Sequence, residues 1–222
     1  MLEQSKSVWA RTEANAPIMS ERNYNITIGM TLMWGFALNL LTVMTVPVDV
    51  IMAIPEWMLL VGYFICVIAG TMMFSSSDNP VVSFAGYNLV AIPIGIVLTP
   101  FILSFDPEIV QQALMVTTGF TGLMMALGTV YPKFFLSIGR TLMMSLISVI
   151  VIELMLAFVF GMSLAIMDWV VALIFCGYIG YDWARANQIP KTLDNAIDSA
   201  AALYLDIINL FIRILSILGR RD

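Results

Sequence analysis

The chain contains no histidine. That removes the usual proton shuttle and general base near neutral pH, and with them the commonest metal ligand. Charge is scarce as well. Only 11% of the residues are Asp, Glu, Lys or Arg, against about a quarter in a soluble domain, so too little polar surface exists to cover a soluble globule. Cysteine is reduced to Cys66 and Cys176. Each sits inside an apolar run, where a small buried residue is a better reading than a disulfide or metal ligand. The net charge is −5, so nothing points to nucleic acid.

Apolar residues are abundant, at 60% of the chain, and they come in long continuous runs. A membrane-spanning helix needs about 20 such residues, whereas barrel strands show short alternating segments. The pattern predicts an all-α integral membrane protein with the lipid bilayer as its first partner. Spans are expected over 24–46, 57–74, 81–104, 108–131, 136–160 and 164–183. A seventh, less apolar segment over 198–219 reads as shielded by the other six. Residues 1–23 are polar and mixed in charge and read as a cytosolic tail rather than a cleavable signal peptide. Residues 24–222 then form one membrane domain.

Orientation follows from the basic residues. With the amino terminus inside, the inner segments hold Lys6, Arg11, Arg22, Lys133, Arg140, Arg185 and Lys191, and the outer connections hold none. Those outer segments carry Asp49, Glu56, Asp106, Glu108 and Asp168, a weakly cation-attracting mouth. The last segment leaves two alternatives. A full crossing puts Arg220 and Arg221 outside, against the rule; a segment that enters and returns keeps them inside. Gly177 with Gly180, and Gly119 with Gly122, are spaced for close helix contact. Pro93 and Pro100 fall inside the third span as a kink or a gate element.

Two aspartates stand out, Asp182 in the sixth span and Asp206 in the seventh. Pro190 disfavours helix at Ile189, and Asp198 is a candidate cap for the next helix. On those boundaries the two carboxyl groups lie about 10 and 12 Å from the turn joining antiparallel helices, so they can meet. Two ionised carboxylates about 4 Å apart repel by roughly 4 kcal/mol at an effective dielectric of 20. The pair is expected to hold one proton between them. With it they link the helices; without it they repel and offer a site to a cation. The competing reading is local pairing, Asp182 with Arg185 and Asp206 with Arg213, which helical spacing permits. Glu153, in the middle of the fifth span, has no basic residue near it in sequence. It reads either as a second carboxylate on an ion path or as a protonated acid bonded to a hydroxyl.

The stretches "GYIGYD", "NQI" and "LYLDIINLFIRILSILG" resemble the Bax inhibitor-1 family (transmembrane Bax inhibitor motif proteins), most sharply over 177–219. The resemblance implies six transmembrane helices around a central seventh helix. It also implies a pH-sensitive calcium leak gated by a buried aspartate pair, which maps onto Asp182 and Asp206. Calcium would be the transported ion, held transiently by those two carboxylates, and no cofactor is expected. The family's second-span arginine has no counterpart, because no Lys or Arg occurs between Arg22 and Lys133. Arg140 and Arg213 are the candidate counter-charges. A bacterial plasma membrane is the expected location.

Two other functions compete. A regulatory protein that binds other membrane proteins, such as membrane proteases, would need no transport. An intramembrane aspartyl protease would use two aspartates sharing a proton, and Tyr181–Asp182 resembles one presenilin-like motif. Asp206, however, follows "LYL" instead of that group's Gly-x-Gly, so no enzyme is expected.

Overall fold

The computed structural model describes residues 16–161 and 164–220; most of the expected cytosolic tail lies outside them. Eight helices follow in order: α1 Glu21–Thr45, α2 Val48–Met52, α3 Glu56–Ser76, α4 Pro80–Leu103, α5 Pro107–Val130, α6 Pro132–Phe160, α7 Ala165–Ala186 and α8 Leu193–Gly219. All but α2 are long and apolar enough to cross a membrane, so the protein is an all-α integral membrane protein. The short α2 lies in the first connection, where "VPVD" suggested only a turn.

Helix ends follow local chemistry. The Ser20 hydroxyl accepts from the Asn23 amide at 3.3 Å to start α1, and the Asn79 side chain accepts from the Val81 amide at 2.9 Å to start α4. Pro80, Pro107 and Pro132 each stand at the first position of a helix, where the missing amide loses nothing. Gly161 closes α6 with φ at +61°, a left-handed cap that favours glycine.

The chain divides into two compact units. The first comprises residues up to 104 together with 188–202, that is, α1 to α4 and the opening turns of α8. Here α3 and α4 meet backbone to backbone: a Cβ on Gly70 would lie 2.5 Å from the Gly86 carbonyl oxygen. Polar side chains tie α1 to α4. The Tyr87 hydroxyl donates to the Thr31 carbonyl at 3.0 Å, the Trp34 indole to Asn88 at 2.9 Å and the Asn39 amide to the Ala91 carbonyl at 3.2 Å. In hydrocarbon such groups must find partners within the protein. Pro93 and Pro100 both stand inside α4, which continues through them.

The second unit comprises 105–187 and 203–222, that is, α5 to α7 and the remainder of α8. Gly128 of α5 and Gly180 of α7 bring those two backbones together, a Cβ on Gly128 falling 2.7 Å from the Gly180 carbonyl oxygen. Against α6, Gly177 accommodates Leu142 and Gly180 accommodates Phe135. The expectation for Gly177 and Gly180 therefore holds. That for Gly119 and Gly122 does not, because both face open space. Small-residue spacing marks a close contact only where a second helix lies on that face.

α8 departs furthest from the sequence reading. It begins at Leu193, not near Asp198. The Thr192 hydroxyl accepts from the Asn195 amide at 3.2 Å, which makes Thr192 the cap. Asp198 is a buried residue inside the helix. α8 also runs unbroken to Gly219, so a segment that enters and returns is ruled out. It is the most enclosed span: 61% of its apolar window is buried, against 11% for α3 and 6% for α6. That agrees with the expected shielding of the seventh segment.

Gly70→Val is expected to lower stability in detergent micelles by about 1–3 kcal/mol, because the added methyls must displace the α4 backbone. Gly119→Ala, which meets nothing, is expected to stay within about 0.5 kcal/mol. Thermal unfolding of the two variants beside wild type checks both.

Candidate functional site

Asp182 sits one turn before the end of α7 and Asp206 more than three turns into α8. Each is 7% exposed, and their carboxyl groups are within hydrogen-bonding reach of one another. An ionised carboxylate only accepts hydrogen bonds, so this contact requires one shared proton. The meeting was expected, but the route to it differs. α8 starts about five residues earlier than the sequence suggested, so its first turns form a polar extension rather than a loop.

That extension belongs to the first unit and is satisfied there. The Ser83 hydroxyl donates to Asp194 at 2.8 Å, and the Asn195 side chain donates to the Pro190 carbonyl at 2.7 Å. The fully buried Tyr24 hydroxyl donates to the Asn195 carbonyl at 3.3 Å and lies 3.3 Å from the Ser199 hydroxyl. These polar partners explain how residues typical of a turn remain helical and buried.

The aspartates' surroundings combine both sequence readings. Arg185 lies one turn on from Asp182 and pairs with its Oδ1 at 3.1 Å, its guanidinium 5.7 Å from the centre of the Tyr181 ring. The local ion pair is thus present alongside the acid pair. Arg213 is not the partner of Asp206. Arg140 is exposed on α6 and forms no ion pair among the described residues. Neither candidate counter-charge reaches the acid pair; the cation beside it is Arg185. One buried oxygen of Asp206, Oδ2, has no hydrogen-bond partner.

A second charged cluster occupies the opposite end of α7. Arg213 of α8 grips Glu153 of α6 through two bonds of 2.8 and 2.9 Å and reaches Asp168 of α7 at 2.8 Å. Arg220 takes the other oxygen of Asp168 at 3.1 Å. Paired hydrogen bonds between guanidinium and carboxylate are the strong form of this contact. Glu153 is therefore neither a free carboxylate nor an acid bonded to a hydroxyl. Asp168, expected at an open outer mouth, is 4% exposed. Sequence distance hid the cluster, since Glu153 and Arg213 are 60 residues apart.

Cys66 and Cys176 are free thiols. Among the described residues no group of three or more His, Cys, Asp or Glu side chains gathers as a metal site. The acid pair therefore supplies two carboxylates, fewer than the six to eight oxygens a resident calcium takes.

Seven apolar spans around two charged clusters define a polytopic helical membrane protein with internally compensated charge. A family model described as "Inhibitor of apoptosis-promoting Bax1" matches residues 20–222, and the chain belongs to that family, the Bax inhibitor-1 family. A BI1-like protein of Arabidopsis thaliana is 39% identical over 53% of this chain and 47% of its own length. Bax inhibitor 1 of Schizosaccharomyces pombe is 33% identical over 73% of the chain and 62% of its own length. The inner membrane protein YbhL of Escherichia coli is 26% identical over 57% and 58%. The chain thus spans about half to two thirds of the length of these relatives.

Arg213→Met is expected to destabilise the protein by about 3 kcal/mol, because it strands the partly buried Glu153. Combining it with Glu153→Gln should recover a coupling of about 1–3 kcal/mol. A double-mutant cycle of chemical unfolding in micelles measures that coupling.

Proposed function

We propose that this protein is a pH-sensitive cation leak, with calcium as its ion, gated by the Asp182–Asp206 pair, and that it performs no enzymatic reaction. The observation that carries the reading is the contact between two buried carboxyl groups on different helices. A shared proton bonds α7 to α8. Loss of that proton turns the bond into a repulsion of roughly 4 kcal/mol at about 4 Å and a dielectric of 20, which favours separation at this level. It also uncovers carboxylate oxygens for a hard cation.

Arg185 shapes the switch. Its ion pair with Asp182 favours the charged form of that residue, so the mobile proton resides on Asp206. Two carboxylates with one already matched by a guanidinium make a passing site, completed by water and backbone oxygens, rather than a storage site. Closure is thus the acidic state and opening the alkaline one. The protein would lie in a bacterial plasma membrane with its amino terminus in the cytosol, as the placement of Lys and Arg favours. The acid pair then stands in the cytosolic half and senses cytosolic pH.

Calcium uptake into dye-loaded proteoliposomes across about pH 6 to 8 tests this, a window around neutrality where a proton shared by coupled carboxyl groups can titrate. Wild-type flux should rise with pH, and Asp206→Asn, which cannot lose the proton, should flatten the profile. Asp182→Asn should alter the pH response while the protein stays folded. A folded wild type with no flux above empty liposomes at any pH would refute the leak and favour a role in binding membrane-protein partners.

A further inference from the structure

The second unit contains a crevice of about 290 Å³ with a wholly apolar lining. Val116 and Phe120 of α5 form one wall, Trp169 and Cys176 of α7 another, and Ile214 and Leu218 of α8 the floor. Trp169 and Phe120 are exposed, so the crevice opens on the face that meets lipid. A dry apolar cavity of about 150 Å³ already takes a benzene-sized guest in preference to water. A larger one at a lipid-facing surface suits a segment of hydrocarbon chain.

One end of the crevice is charged. Trp169 directly follows Asp168, and Leu218 stands two residues before Arg220, the residue that pairs with Asp168 at 3.1 Å. Arg213 is matched by Glu153, and Asp168 accepts from both arginines. The Arg220 side chain remains 43% exposed, and a guanidinium has five donors, so most of its donors point outward. The first turn of α7, beside Asp168, has no capping side chain. Its amides therefore add partial positive charge at the same level.

We propose that this crevice binds one acyl chain of an anionic phospholipid whose phosphate rests on Arg220. The lipid would lie along Ile214 and Leu218, on the stretch of α8 that carries Arg213, and brace the outer part of that helix. The site stands whether or not the chain conducts ions.

Native mass spectrometry of the detergent-purified full chain, titrated with phosphatidylglycerol or phosphatidylcholine, tests the proposal. Wild type should retain one phosphatidylglycerol about tenfold more tightly than phosphatidylcholine, the size of one charge-assisted contact. Arg220→Gln should erase that preference while leaving residual binding of both lipids. Val116→Trp, which fills the crevice from its exposed rim, should weaken both lipids, with thermal unfolding confirming that each variant is folded. Equal retention of the two lipids by wild type, an unchanged preference in Arg220→Gln, or unchanged binding in a folded Val116→Trp variant would each overturn it.

Discussion

A helix that carries Asp206 and Arg213 two turns apart cannot turn those residues to lipid. An ionised side chain in hydrocarbon costs at least about 2.5–3.5 kcal/mol near the centre of a span, and an unpaired backbone group several more. α8 must therefore be enclosed, and its partners must bring complementary charge to the correct depth. α7 does so twice. Asp182 meets Asp206 near one end, and Asp168 meets Arg213 near the other. α6 contributes Glu153 to the second level. Enclosure in turn demands close approach of the surrounding helices, which Gly128, Gly177 and Gly180 permit in the second unit and Gly70 and Gly86 in the first.

The two levels differ in kind. Arg213, Glu153, Asp168 and Arg220 hold two cations and two anions, a balance that no proton is needed to complete. The acid pair has one guanidinium for two carboxyl groups, so it balances only while it keeps a proton. A change of pH near neutrality consequently acts on one end of the α7–α8 contact and leaves the other end intact. That asymmetry makes α8 a lever held at one level and released at the other, and it arises from the count of charges rather than from any flexible segment.

Much of this was legible in the sequence because the membrane constrains it so strongly. Continuous apolar runs located all seven spans to within a few residues. Asp182 and Asp206 could be brought together because both lie near one short connection, where counting residues along antiparallel helices gives depth. The same count around the connection between α6 and α7 would have placed Glu153, Asp168 and the end of α8 at one level. It was not made because Asp168 read as a solvated loop acid and the last segment's crossing was open. The start of α8 was misplaced for a related reason. Asp194, Asn195 and Asp198 carry turn composition, and only Ser83 and Tyr24, distant in sequence, supply the hydrogen bonds that allow Asp194 and Asn195 to be buried in helix. Local propensity cannot report a partner that far away.

The early start of α8 also bears on the switch. Had the helix begun at Asp198, Asp206 would stand about two turns from a free end and could respond to deprotonation by fraying. Because the helix instead extends back to Leu193, capped by Thr192 and anchored through Asp194 and Asn195, Asp206 lies inside a continuous rod. Repulsion from Asp182 cannot then be relieved by local unwinding of a terminus. It must be relieved by displacement of one helix relative to the other or by uptake of a cation, and both of those outcomes extend beyond the pair itself.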